Sequence, residues 1–243
     1  MLLLSQDHLP PRSPGRRAFL RLALAGSLFA ALALAPGAAR AAELSPAETA
    51  QLLGRLQEHR AKYPSLTADF TEEKSSHLLE KPVVGSGTLA FSAPNKFRRE
   101  LRGNNPSLMV SNGQRLWIYY PNFKEAELYP LGQQKFFDQA IEALTAGLNF
   151  QNVAAFYRYT ASREEGGYRL QLTPRGGGIK RILTSIAVTV DDEYRIQKTV
   201  AVLPQGDTIV TSYRNQKPTP VAASTFEYTP PADAHVSQPF KKQ

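Results

Sequence analysis

From Leu66 onward the chain alternates apolar and polar residues one by one, a period that restricts it to strands with one dry and one wet face. Leu66, Ala68 and Phe70 point one way, and Thr67, Asp69 and Thr71 the other. Gly85, Gly87, Leu89 and Phe91 alternate with Ser86, Thr88, Ala90 and Ser92; Phe97, Arg99 and Leu101 alternate with Arg98, Glu100 and Arg102. Strands of an all-parallel sheet are buried on both faces and read as continuous apolar runs, so this pattern predicts an antiparallel sheet. Residues 108–111 and 115–120 flank Asn112-Gly113, a hairpin signal because both residues tolerate positive φ. Residues 157–160 and 168–173 flank Glu164-Glu165-Gly166-Gly167, and residues 186–190 run into an Asp191-Asp192-Glu193 turn. Residues 196–202 and 208–213 flank Gln205-Gly206-Asp207. Short strands at this spacing, with no linker and no repeat, predict one sheet-rich domain.

Two segments break the period. Ser45-Pro46-Ala47-Glu48 is a capping box with Pro at the first helical position. Leu52, Leu53, Leu56 and Tyr63 follow at helical spacing until Pro64, which predicts an amphipathic helix over 46–62. Over 133–150, Phe136, Phe137, Ala140, Ile141, Leu144 and Leu148 share a helical face, with Gly147 and Asn149 at its end. Residues 152–156 add a short helix, and Gly176-Gly177-Gly178 reads as a loop.

Residues 1–41 read as an export signal and are set aside from fold reasoning. Arg12, Arg16, Arg17 and Arg21 make a basic start, and residues 22–34 form an apolar run of thirteen, short for a bilayer span. Pro36 and Gly37 break it, and Ala39-Arg40-Ala41 places small residues where a signal peptidase reads, so cleavage is expected after Ala41. Gly15-Arg16-Arg17-Ala18-Phe19-Leu20-Arg21 looks like a twin-arginine signal. The expected mature protein is a single domain over 42–243, periplasmic, soluble and monomeric. The whole chain carries 29 Lys and Arg against 21 Asp and Glu, a charge of +8. Five Arg and one Asp lie in 1–41, which leaves 24 basic and 20 acidic residues, or +4. Half the basicity therefore belongs to targeting, and a nucleic-acid partner is not expected. No Cys follows the apolar run, so no lipid anchor is expected.

Catalytic patterns are missing. Zero Cys excludes a thiol nucleophile and a cysteine-ligated metal, and His8, His59, His77 and His235 have no metal-ligand spacing. There is no Gly-x-Ser-x-Gly, no His-Glu-x-x-His and no phosphate loop. Asp191-Asp192-Glu193 lacks the further ligands that calcium needs, and Glu72 and Glu73, as neighbours on a strand, point to opposite faces. The expectation is a binding protein with no cofactor, not an enzyme.

Four stretches carry a resemblance. Val110-Ser111-Asn112-Gly113-Gln114-Arg115-Leu116-Trp117-Ile118-Tyr119-Tyr120-Pro121 resembles the "VSDGxxLWxYxP" stretch of the periplasmic lipoprotein carriers, the LolA family. Ser65-Leu66-Thr67-Ala68-Asp69-Phe70-Thr71 is similar to that family's "SFxAxFxQ" strand. Gly87-Thr88-Leu89 with Pro94-Asn95-Lys96-Phe97 resembles "GxGxLxxxxPxxF", and Phe226-Glu227-Tyr228-Thr229-Pro230-Pro231 resembles the closing "FxFxPP". The four occur in the family's order across most of 45–231.

The resemblance implies a mainly β fold with some α: an incomplete antiparallel β-barrel whose concave face is covered by helices over an apolar cavity. It implies a periplasmic carrier that takes an acylated lipoprotein from an inner-membrane releasing complex and hands it to an outer-membrane receptor. Ten acyl methylenes kept from water are worth roughly 8 kcal/mol, so a shuttle needs a dry cavity and, lacking a nucleotide motif, a movable lid. The candidate lining is Leu53 and Leu56 from the first helix, Leu89, Phe91, Phe97, Leu101 and Met109 from the sheet, and Phe136, Phe137, Ile141 and Leu144 from the second helix. The same residue types build an ordinary core, so both assignments stay open at this point. Two positions depart from the family pattern: Ala93 stands where the family has an Arg that ties the lid, and Glu72 replaces the Gln of the first strand. Arg99, on the face of Phe97 and Leu101, is a candidate for the lid or headgroup contact, or else snorkels to solvent. These departures keep two alternatives: a carrier for another lipid or lipid conjugate served by a membrane exporter, and a lipid-sensing interaction module.

Overall fold

The computed structural model describes residues 42–132 and 149–239. The predicted export signal and the helix predicted over 133–150, except its last two residues, lie outside the described residues, and with them Phe136, Phe137, Ile141 and Leu144.

The predicted capping box forms. Ser45 N donates to Glu48 Oε2 at 2.8 Å, Glu48 N donates to Ser45 Oγ at 3.3 Å, and helix α1 runs Pro46–Lys62. Leu52, Leu53 and Leu56 make its buried stripe, and Tyr63 is its C-cap.

The strands are β1 Ala42–Glu43, β2 Ser65–Ser75, β3 Val83–Ser92, β4 Lys96–Arg102, β5 Ser107–Asn112, β6 Arg115–Tyr120 and β7 Glu125–Pro130. After a short helix at Val153–Phe156 come β8 Tyr157–Glu164, β9 Gly167–Pro174, β10 Ser185–Asp191, β11 Ile196–Val202, β12 Thr208–Lys217 and β13 His235–Ser237. All belong to one 13-stranded sheet in the order β1-β8-β9-β10-β11-β12-β2-β3-β4-β5-β6-β7-β13. Neighbours are antiparallel except β13, which runs parallel to β7. The sheet does not close, but it curls. Leu116 of β6 and Ala161 of β8, far apart in the strand order, belong to the same hydrophobic core with the α1 leucines. The fold is thus an incomplete barrel with α1 in its concavity.

One expectation is corrected. Gly176-Gly177-Gly178 is not simply a loop, because Gly177–Lys180 forms one helical turn. Ile179, with 1% of its surface exposed, sinks into the core and draws the turn in. The Asp191 turn is held by its own side chain, whose carboxylate accepts from Glu193 N, Arg195 N, Arg195 Nε and Gln197 Nε2.

The glycines of β3 have a packing reason. Gly87 lies between Phe70 and Leu101 in register. A Cβ there would meet Glu100 O at 1.9 Å and Phe70 Cζ at 2.6 Å, so the Phe70 ring lies where a side chain would stand. The outer face is covered by the C-terminal strap, where Phe226 is buried and Tyr228 meets Trp117 and Tyr119 at ring distances of 6.1 and 6.2 Å.

Gly87→Ala should lose about 1–3 kcal/mol, because neither the backbone oxygen nor the Phe70 ring can withdraw cheaply. Gly54→Ala, in mid-helix with open space around the new methyl, should gain about 0.5–1 kcal/mol. Urea denaturation of the two variants checks both signs.

Candidate functional site

The register assigns the concave face. Phe91 pairs with Phe97, Arg99 with Met109, Met109 with Ile118, and Leu116 with Tyr129, so these side chains share one side of the sheet. On that side the structure makes a division that periodicity does not reveal. Leu53, Leu56, Leu89, Phe91 and Phe97 are between 0% and 4% exposed and pack against one another in the core. These five therefore belong to the packed part of the concave face.

On the same face, β4 to β7 hold both core residues, Phe97 and Leu116, and less tightly packed ones. Leu101, Met109, Ile118 and Tyr129 are only partly buried and pack against the edge of the core. Met109 and Ile118 stand directly opposite each other, and Leu101 and Tyr129 continue the stripe diagonally, since Arg99 and Glu127 hold the in-register places. The result is an apolar stripe across four strands. Leu101 follows from alternation, and Met109 was a candidate only through the family resemblance. Ile118 and Tyr129 were missed, although the hairpin register at Asn112-Gly113, which places Met109 against Ile118, was the signal that could have found them.

Polar groups bound the stripe on both sides. Arg99 pairs with Glu72, both side chains being about four-fifths buried, and the guanidinium carbon lies 4.2 Å from the centre of the Phe70 ring. Gly85 and Gly87 put no side chain between β2 and β4, so the pair spans β3. Arg99 therefore does not snorkel to solvent. Tyr213 stands beside Phe70 in register, and burial pushes its phenol pKa up. On β7, Tyr129 OH donates to Glu127 Oε2 at 2.9 Å, and burial together with that carboxylate holds Tyr129 well above the usual phenol range. Burial and the same Glu127 also raise Tyr120. Both phenols stay protonated as donors at neutral pH. No group of three or more metal-ligating side chains occurs among the described residues. Among those residues no helix is long and apolar enough to cross a membrane.

The signature stretches sit mostly beside the stripe, and only the hairpin stretch enters it, through Ile118. Ser111 Oγ donates to Asn95 O at 2.9 Å, and Asn149 Nδ2 donates to Pro94 O at 2.9 Å. Asn112 Oδ1 accepts from Gln114 N and Arg115 N, closing the hairpin, while Asn112 Nδ2 approaches the Glu227 carboxylate at 3.4 Å. Ala93, where the family pattern has Arg, donates its N–H to Pro64 O at 2.8 Å.

Removing either partner of the Glu72–Arg99 pair leaves a largely buried charge alone. Glu72→Ala, Arg99→Ala and the double variant should give a coupling of roughly 0.5–3 kcal/mol in urea melts, whereas a purely additive cycle would mean that solvent screens the pair.

Residues 61–229 match the family described as "Outer membrane lipoprotein carrier protein LolA". The chain is 29% identical over 177 residues to an outer-membrane lipoprotein carrier protein of Dechloromonas aromatica, covering 71% of this chain and 80% of that one. It is 29% identical over 178 residues to the protein of the same name from Shewanella loihica, covering 72% and 80%. A crystal structure of a LolA superfamily protein from Nitrosomonas europaea aligns with a TM-score of 0.43 and 11% identity, over 74% of this chain and 97% of that one.

Proposed function

Because the chain belongs to the outer-membrane lipoprotein carrier (LolA) family, a carrier family and not an enzyme family, we propose that its concave face binds the acyl chains of a lipoprotein and carries them through the periplasm. The half-buried stripe of Leu101, Met109, Ile118 and Tyr129 supports this reading. Apolar side chains held at the edge of a packed core keep surface that an acyl chain can remove from water, at about 0.8 kcal/mol per methylene. The stripe keeps some accessible surface beside the packed core, so cargo would gain contact there without unfolding the barrel. Export through the signal in 1–41 would deliver the protein to the periplasm. An inner-membrane releasing complex would load it and an outer-membrane receptor would empty it. The four apolar residues predicted on the second helix, Phe136, Phe137, Ile141 and Leu144, would complete the apolar surround.

A second reading, a carrier for another lipid or lipid conjugate loaded by an exporter, draws support from the Glu72–Arg99 pair. With Ala93 in place of the family Arg and Arg99 held by Glu72, the polar end of this site differs from the family pattern.

Displacement of a fluorescent fatty acid by a tripalmitoylated lipopeptide tests the acyl site. Leu101→Glu and Met109→Glu should fold and bind at least about tenfold more weakly. Phe91→Glu and Phe97→Glu should fail to fold, since each would bury a carboxylate in packed core. Unchanged binding by both stripe variants would remove the concave face from the function. Mass spectrometry of lipid extracted from protein purified from its native periplasm decides between the two cargoes.

A further inference from the structure

Arg60, on the last turn of α1, is only 4% exposed, yet it forms no ion pair with the described carboxylates. Its Nη1 donates to Tyr63 O at 3.1 Å, its guanidinium carbon lies 5.6 Å from the centre of the Phe91 ring, and its Nε has no partner. Desolvation with nothing to offset it draws its pKa down to about 10, so the group remains a cation at neutral pH. A buried cation with no ion pair among the described residues is costly, and a hydrogen bond to one carbonyl does not offset that cost.

Arg60 also lines a cleft of about 410 Å³ at the C-terminal end of α1, together with His59, Lys62, Tyr63 and Arg195. Arg60, Lys62 and Arg195 line it with the carboxylate of Glu193, and Asp191 pairs with Arg195, a local excess of one positive charge. Arg195 is already held by Asp191 and Glu193, whereas Lys62 forms no ion pair with a described carboxylate and lies 5.2 Å from the Tyr63 ring. Burial and the neighbouring Arg60 push the His59 pKa down, so His59 stays neutral and adds a hydrogen-bonding edge rather than charge.

We propose that this cleft is a binding site for a phosphate group, with Arg60 and Lys62 as its ligating cations. The planar guanidinium and the mobile ammonium complement a multi-oxygen anion, which supplies a counter-charge that Arg60 does not find among the described residues. The phosphate can be free or can be the phosphodiester of a lipid headgroup. The site lies apart from the Leu101–Tyr129 stripe and does not require acyl binding there.

Calorimetric titration of the purified protein at constant ionic strength, with sodium phosphate and separately with monomeric dihexanoyl phosphatidylglycerol, tests the site. Saturable binding is expected for at least one ligand. Lipid binding at least about tenfold tighter than phosphate assigns a headgroup, and phosphate binding as tight or tighter assigns a free anion. Either result should weaken about tenfold or more in Arg60→Met, which keeps the apolar stem, and in Lys62→Ala. Arg60→Met should melt no lower than the parent, because it removes a charge without an ionic partner. If it does not fold, Lys62→Ala and the parent titrations carry the decision. No saturation by either ligand at tens of millimolar, or parent-like binding in the variants, overturns the proposal. Fatty-acid displacement from the same preparation shows whether the carrier reading stands when this one falls.

Discussion

An unclosed sheet has a concave face that its own strands cannot cover, and the rest of this structure depends on how that face is shielded. One 17-residue helix provides three buried leucines. They join the inward residues of β2, β3 and β8 to β11, with Phe97 of β4 and Leu116 of β6, in a core with almost no accessible surface. Among the described residues, packing is looser at Leu101, Met109, Ile118 and Tyr129 on β4 to β7. The free edges are kept short: β1 has two residues and β13 three, too few to recruit a foreign strand.

Much of this was legible in the sequence because it is local. Alternation sorted Leu66, Ala68 and Phe70 onto one face, Asn112-Gly113 marked a hairpin, and Ser45 with Glu48 and Pro64 marked the limits of α1. What stayed hidden depends on strands brought together from a distance. Leu89 and Leu101 obey the same alternation, yet one is core and the other half-buried, since coverage by other elements decides burial and alternation does not encode coverage. Ile118 escaped notice because Trp117 and the two tyrosines beside it obscure the parity that β5 imposes. Gly177 gave no helical signal, since its turn exists only because Ile179 finds the core.

The four signature stretches identify the family through scaffolding. Ser111 ties the hairpin to the Asn95 turn, Gly87 makes room for Phe70, and Tyr228 covers Trp117 from outside. They therefore report the frame faithfully and say little about cargo. The departures behave differently. Glu72 replaces a neutral Gln, and its charge meets Arg99 across the glycines of β3. An Arg alone beneath the sheet would be expensive to desolvate. The Glu makes it tolerable and also fixes its position, so one substitution in β2 settles where a cation sits on β4.

The division between packed and half-buried halves bears on how a carrier can bind firmly and still let go. Packing Leu101, Met109, Ile118 and Tyr129 as tightly as Phe91 would stabilise the chain and leave nothing for an acyl chain to gain. Keeping them half-exposed sacrifices some stability, and in the proposed role a bound acyl chain would recover part of it. The gain would scale with the methylenes covered, at about 0.8 kcal/mol each, so affinity would follow how far the chain reaches along the stripe. A receptor that uncovered a few methylenes would then shift the balance by several kilocalories without nucleotide hydrolysis. The barrel does not unfold meanwhile, because Leu56, Phe91 and Phe97 hold it from the other half of the same face.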